Sequence, residues 1–571
     1  MSRFKILFVL AVISVIMAAC GQAPGAGAQA GATDVVADDP PEADAPAVAD
    51  DGPFNPMARF DPPITITTAV SLTDNMQTLI GLQEDVLTNN NWFDAYYEDL
   101  GIIVDILWSV PSVQFEQRVS MAIAGDDLPD IIAVNSSQLR MLVENGMVAD
   151  MTDLFDRYAT DFVRRMMDAD DHVGLGQATL NGRLMALPEV HGNADGAAML
   201  YIRADWMEAL DRSPPQTIDE LIDLAQTFMD ADLDGTGSAF GLGISSSSPQ
   251  SFLGGGMGEL TGFFEGFGVN PNGWIDVNGR AEFGRIQPAV RDALETLTVM
   301  YEQGLIHPEF ATRDLTEDLV SGRVGIMFGQ HWNTFWPLQM TIDNNPEADW
   351  LPFPIPTIDG SPARPMLGGS AGRFYVTDVD AAYPQASVML LNYNYYRQNA
   401  LSEGFAGHRF HVPGHLQHEH PYAVHEWSIL RGFYPRQNVF IHRSIMAYVD
   451  GDESVLENPW VVDNVQAMTD YLANPIENAA SWGAFRWSGP NGSMSVINHH
   501  QTTGNFIVNL LLETTDGIVD YGTTLDNLAF TTFTRIIMGV DPIEAFDNFV
   551  DEWWMLGGDT ITNEVNELLG R

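Results

Sequence analysis

Three clusters in this sequence have the residue types and spacing of reactive or metal-binding groups. Asp230, Asp232 and Asp234 alternate ahead of Gly235, with Thr236 and Ser238 following. Hard oxygen ligands at every second position, with a glycine at the sixth, begin a calcium loop. These five side chains are therefore the candidate metal set. Position twelve counted from Asp230 is Gly241, where such a loop places its bidentate carboxylate. An acidic turn closing a helix explains the same stretch without a metal. The second cluster is His408, His411, His415, His418, His420 and His425. Imidazoles at 411, 415 and 418 would share one helical face and suit zinc, but Pro413, Gly414 and Pro421 break that helix, which favours a solvated insertion. Gly368-Gly369-Ser370-Ala371-Gly372 fits the nucleophile pattern G-x-S-x-G. Its flanks, Met366-Leu367 and Arg373-Phe374-Tyr375, predict no strand entering and no helix leaving. A carboxylate pair for glycoside hydrolysis is always available among 77 acids, so a hydrolase stands as an alternative that product formation would reveal.

The elements around these residues alternate. Ile64 to Val70 predicts a first strand, Asn91 to Leu100 a helix, Ile102 to Trp108 a strand, Phe115 to Ala124 a helix, Ile131 to Val134 a strand and Gln138 to Asn145 a helix. Leu200 to Arg203 and Val324 to Phe328 are further strands. Thr217 to Met229 is a helix that Thr217 caps with Glu220 three residues on. Gln287 to Gln303, Tyr383 to Asn399 and Asp541 to Leu556 complete the set. Such alternation predicts an α/β fold with a parallel sheet covered on both faces. Ligands of such sheets bind beyond the carboxyl ends of the strands. Asp74, Asn135, Glu189 and Asn193 fall in loops at that edge and are candidate polar contacts; turn formation is the alternative for each.

Composition narrows the chemistry. The chain has 571 residues, 26 Lys and Arg against 77 Asp and Glu, and a formal net charge of −51. A phosphate-binding face needs clustered cations, so nucleic acid is excluded as a partner. Lys5 is the only lysine, which removes phosphate loops, Schiff bases and Ser-x-x-Lys acyl transfer. The acidity argues against a polyanionic ligand, though Arg203, Arg373 and Arg486 offset it locally. Length and 45% hydrophobic content support more than one lobe.

The first sixty residues read differently. Arg3 and Lys5 precede a short apolar run, Ile6 to Ala19, which is a secretory signal rather than a spanning helix. Cys20 is the sole cysteine, so no intrachain disulfide forms. Met17-Ala18-Ala19-Cys20 resembles the lipobox of bacterial lipoproteins, with Met17 in place of the usual Leu. That resemblance implies cleavage after residue 19, lipid on Cys20 and attachment to the outer face of the cell membrane. Residues 20–60 are rich in Ala, Gly, Pro and Asp, a flexible acidic tether.

From residue 60 onward, eight segments in order resemble family 1 of the extracellular solute-binding proteins of ABC importers, most of all its oligosaccharide-binding lipoproteins. They are Ala124 to Asn135, Glu144 to Tyr158, Asn181 to Glu189, Leu200 to Leu210, Tyr301 to Phe310, Ser321 to Trp332, Gly404 to Val412 and Phe546 to Asp559. The resemblance implies a two-lobed periplasmic-binding-protein-like fold of type II, with crossing hinge segments and an interlobe cleft. It places residues 61–190 plus 364–425 in the first lobe and 191–363 plus 426–571 in the second. It implies a monomer that closes on a carbohydrate and delivers it to a permease, with no chemistry, no required cofactor and at most a structural calcium. A peptide or metal ligand on the same fold is the alternative. Sugars need flat aromatic platforms and forked polar groups. The family's stacking tryptophan falls at Trp332, with Trp336 beside it. Trp482 and Trp487, in a Gly/Ser/Asn-rich loop with Arg486, and Trp274 are further candidates. Trp206, at a helix start, reads as packing.

Overall fold

The computed structural model describes residues 54–82, 85–170, 172–233, 235, 237, 239–245, 252–254, 256–369, 371–402, 427–432, 434–511 and 514–571. The signal segment, Cys20, most of the tether, Asp234, Thr236, Ser238, Ser370 and the histidine run lie outside those residues. Among the described residues no helix is long and apolar enough to cross a membrane.

The strands that position the site are β1 (Ile64–Leu72), β2 (Ile102–Pro111), β3 (Ile131–Val134), β4 (Leu187–Val190), β5 (Met199–Arg203), β6 (Ile326–Gly329), β7 (Trp350–Phe353), β8 (Met366–Leu367), β9 (Ala371–Thr377) and β10 (Ile507–Val508). The helices are α1 (Ser112–Gly125), α2 (Ser136–Glu144), α3 (Ile218–Ala231), α4 (Pro288–Glu302), α5 (Gln437–Val449), α6 (Trp482–Ser488), α7 (Ser493–Thr503) and α8 (Asp516–Ile537). Local chemistry sets their ends. Thr217 and Glu220 form the reciprocal capping box expected at the start of α3. Asn135 and Gln138 do the same for α2.

One sheet has the order β2-β1-β3-β9-β4. β1 runs parallel to β2 and β3. β9 runs antiparallel to β3 and β4, with Phe374 opposite Val134 and Tyr375 opposite Leu187. The carboxyl ends of β1, β3 and β4 therefore share an edge with the start of β9, Ala371 to Arg373. The other main sheet, β6-β5-β7, is antiparallel throughout. This corrects the expected all-parallel sheet. Hydrophobic periodicity reports which face of a strand is buried and carries no record of the direction in which it is paired.

Three apolar clusters fill the body. The first gathers residues from Phe60 to Val190, then Ala371 to Tyr395, then Trp427 and Leu430. The second and third draw on residues between Ala194 and Ala363 and again from Val439 to Val565. Among the described residues the chain thus passes between cores three times: at 190–194, at 363–371 and at 430–439.

Candidate functional site

The first and third crossings are packed against each other. A Cβ at Gly192 would stand 2.6 Å from the Asp195 carboxylate and 2.6 Å from the Pro435 carbonyl oxygen, so only glycine fits. Asn438 Nδ2 donates to Asp195 Oδ2 at 2.8 Å. Asp195 Oδ1 is buried without a hydrogen-bond partner, and burial pushes its carboxyl up to about 7. At the second crossing, the Met366 N–H of β8 donates to Glu265 Oε1 at 2.9 Å, and β8 pairs in parallel with β10.

On one side of these crossings, at the end of β4, stands Glu189. Tyr375 Oη donates to its Oε2 at 2.5 Å, while His191 Nε2 lies 3.5 Å from Oε1 and Arg431 Nε 3.6 Å from Oε2. Burial alone would raise its carboxyl. Arg431, the His191 bond, Arg373 and the Tyr375 hydroxyl outweigh burial and hold it at about 2. Glu189 is an ionised anchor for its neighbours and has little surface left for a ligand, being 5% exposed.

On the other side lies the turn after β6. Asn333 is fully buried, and its Oδ1 accepts the Gln330 N–H at 2.7 Å. Gln330 Oε1 accepts the Trp332 indole N–H at 2.8 Å, and Gln330 Nε2 donates to the Gly196 carbonyl, just beyond the first crossing, at 3.3 Å. Beneath the turn, Tyr201 Oη donates to the Gln330 carbonyl and Ser493 Oγ to the His331 carbonyl, each at 2.8 Å. Burial lowers His331 to about 4, so its ring is neutral, and Nδ1 accepts the Trp487 indole N–H at 2.8 Å. The outcome above this frame is an aromatic ledge. Trp332 and Trp336 stack with centroids 6.2 Å apart and planes 13° apart. Trp336 is 47% and Phe335 39% exposed, surface that burial against an apolar sugar face would remove from water.

Several sequence candidates go elsewhere. Trp274 is buried in the second core and Trp482 is wholly buried in the third. Trp482 and Trp487 belong to α6, not to a loop, and Trp482 donates to Asp349 Oδ1 at 2.9 Å. Neither Trp274 nor Trp482 has an open face, so both are corrected to core. Trp487 is also buried; it touches His331 and Phe335 and supports the ledge from behind. Asn135 is engaged as the cap of α2, and exposed Asp74 opens a short helix, Asp74–Leu82, with its Oδ1 accepting from Gln77. Asn193 sits half-buried in the first crossing. Arg203 is tied to Asp205 and Arg486 to Asp349. Trp206 packs edge-on against Phe228, as expected. The roles of Arg431 and Gln330 were missed, because each depends on partners far away in sequence.

At the acidic loop, both Asp232 carboxylate oxygens accept the Gly237 N–H, at 2.9 and 3.0 Å, and Gly237 has φ +68°. Counting from Asp232 places Asp234 and Thr236 third and fifth and Gly237 sixth, two residues later than the register read from Asp230. Asp230 instead accepts from Gln226 on α3. Among the described residues no group of three His, Cys, Asp or Glu side chains is arranged for a metal.

A sequence profile described as bacterial extracellular solute-binding protein matches residues 69–393, more than half of the chain. The chain belongs to that family. This solute-binding protein is 23% identical over 269 residues to a fructooligosaccharide ABC transporter substrate-binding protein of Streptococcus pneumoniae serotype 4, covering 45% of this chain and 48% of that one. It is 24% identical over 235 residues to a polygalacturonan/rhamnogalacturonan-binding protein of Bacillus subtilis, covering 40% and 44%. The chain thus spans about half the length of the curated relatives it matches. In fold it is similar to a crystal structure of an alginate-binding protein without calcium ion, with a TM-score of 0.60 and 14% identity over 91% of this chain and 100% of that one. An HMO-binding, ABC-transporter-associated solute-binding protein from Bifidobacterium longum infantis gives 0.58 and 14%, covering 88% and 98%. The two-lobed α/β architecture of the solute-binding proteins is the fold of this chain.

Proposed function

We propose that this protein is the extracytoplasmic binding component of an ABC importer, capturing an oligosaccharide by closure of two lobes and handing it unaltered to a permease. The observation that carries this reading is the Trp332–Trp336 ledge, tied through Gln330 to Gly196, two residues beyond the first crossing. A platform joined to the hinge couples occupancy to lobe angle, and a ligand drives closure only through contacts it gains in the closed state. The carbohydrate ligands named for the relatives support the same substrate class.

In this proposal the lobes are residues 61–190 plus 364–425 and 191–363 plus 426–571, as the separate cores suggest, with Trp427 and Leu430 packing on the first. A single lipidated Cys20 and an acidic tether hold the monomeric body at the outer face of the membrane. Calcium in the loop from Asp232 is part of the proposal. Gly243 stands at its twelfth position, so affinity there is weak.

The test is a thermal-shift screen of purified protein against neutral and acidic oligosaccharides, with chromatography of the recovered sugar. A ligand that binds only the folded state raises the melting temperature. The expected result is stabilisation by at least one oligosaccharide, recovered intact. Stabilisation by peptides or metals alone, or cleavage of the sugar, overturns the reading.

A further inference from the structure

The carboxyl edge of the first sheet holds a cavity whose charge is the reverse of the rest of the molecule. It is lined by the end of β1, by Ala133 of β3, by Arg373 and Tyr375 of β9, by Trp427 to Ile429 just before the third crossing and by Arg431 within it, with Phe93 and Phe115 closing its apolar side. In a chain with 77 acidic residues, none of the lining residues is Asp or Glu, while two are arginine.

The two arginines differ in state. Arg431 faces buried Glu189 at 3.6 Å. Arg373, half-buried, makes no hydrogen bond or ion pair with any described residue. Its charge favours the ionised Glu189 carboxylate and acts on the Tyr375 hydroxyl. Of the three arginines that the sequence offered against the overall acidity, Arg203 and Arg486 are neutralised by Asp205 and Asp349. Arg373 has no such direct partner among the described residues; it acts on Glu189 only through its field, and it lines the cavity.

Resting on the carbohydrate-binding reading, we propose that this cavity receives a sugar unit bearing a carboxylate, of the uronic acid class. Arg373 holds the carboxylate with its guanidinium fork, while Arg431 stays on Glu189 and offsets that buried charge. A planar fork matches a carboxylate in a paired geometry, and charge-assisted bonds of this kind are roughly twice as strong as neutral ones. Half-buried Phe93 offers apolar surface to the ring, and Ser71 at the end of β1 offers a hydroxyl. The overall negative charge does not forbid this, because charges farther apart than about 10 Å are screened at 0.1 M salt.

The test uses the full body with oligogalacturonides and their fully methyl-esterified counterparts, which keep size and linkage and lose the charge. Calorimetry is expected to give at least tenfold tighter binding of the acid form. In Arg373→Gln that ratio falls to within about twofold, while Arg373→Lys keeps an intermediate ratio; a melting curve without ligand checks that both variants fold. Equal or tighter binding of the ester, or an acid preference that survives Arg373→Gln, overturns the proposal. Binding of neutral oligosaccharides with no gain for any acidic one overturns it and leaves the importer reading standing. Failure of every carbohydrate overturns both.

Discussion

Arg140 of α2 donates from Nε to Asp516 at the start of α8, 2.5 Å away and 376 residues distant in sequence. Arg140 Nη1 reaches the Thr514 carbonyl at 3.0 Å, and Ser136 and Thr514 share a hydroxyl bond at 2.9 Å. α2 packs on the first core and α8 on the second, so this is a direct clasp between elements of different cores. Asp516 is well exposed, and pairs of this kind contribute about 0–1 kcal/mol. The clasp therefore biases the lobe angle without fixing it. Arg140→Ala should change ligand affinity by no more than about fivefold, the equilibrium equivalent of about 1 kcal/mol. The exchange Arg140→Asp with Asp516→Arg should restore it. Calorimetry checks both, and a hundredfold loss in Arg140→Ala would show that the pair holds more than a bias.

The ledge and its support should separate experimentally. Trp336→Ala and Trp332→Ala each remove a stacking surface. Each should weaken sugar binding by about 2 kcal/mol or more, roughly thirtyfold, with little change in folding stability. Trp487→Phe leaves buried His331 Nδ1 without its donor. It should cost about 1–3 kcal/mol of stability, read by urea denaturation. Equal affinity losses for all three without any stability change would contradict this division.

Acid and base should act on different groups. Asp195 and Glu265 are raised by burial to about 7 and about 8, above ordinary values of 3.8 and 4.5. The folded state keeps protons there that the unfolded chain releases. Their contribution is complete below about pH 4 and is lost as pH rises through 7 to 8. Glu189, held at about 2, works the other way: its contribution is present above 4.5 and lost as pH falls towards 2. Stability should therefore peak in mildly acidic solution. Asp195→Asn keeps an acceptor for Asn438 and removes the titration, so it should flatten the decline between pH 4 and 7. Urea midpoints across pH check this; an unchanged slope in that variant would refute the assignment.

What the sequence disclosed follows a physical line. β3 was legible to the residue, and the Thr217–Glu220 box was read correctly, because burial pattern and capping are local. α8 was missed: Gly517, Gly522 and a run of threonines weaken its helical signal, while packing of Leu525, Ala529 and Phe533 in the second core stabilises it. Trp482 and Trp487 read as exposed because glycine and serine surround them. Their burial depends on Asp349 and His331, more than 130 residues away. Trp332 and Trp336 were read as ligand contacts from their loop after β6; that their rings stack on each other was not read from the sequence.

The proposed calcium site in the loop from Asp232 is tested by two substitutions. Asp232→Ala should abolish any rise in melting temperature that calcium gives over chelator, because Asp232 opens the loop. Asp230→Ala should leave that rise largely in place, since Asp230 bonds Gln226 instead. The reverse pattern would return the loop to the register that starts at Asp230.

Small-angle X-ray scattering, with and without a saturating oligosaccharide taken from the melting screen, addresses lobe closure most directly. The account predicts a smaller radius of gyration in the complex, lost when Trp332 and Trp336 are both replaced by alanine. An unchanged radius on binding the same sugar would contradict it.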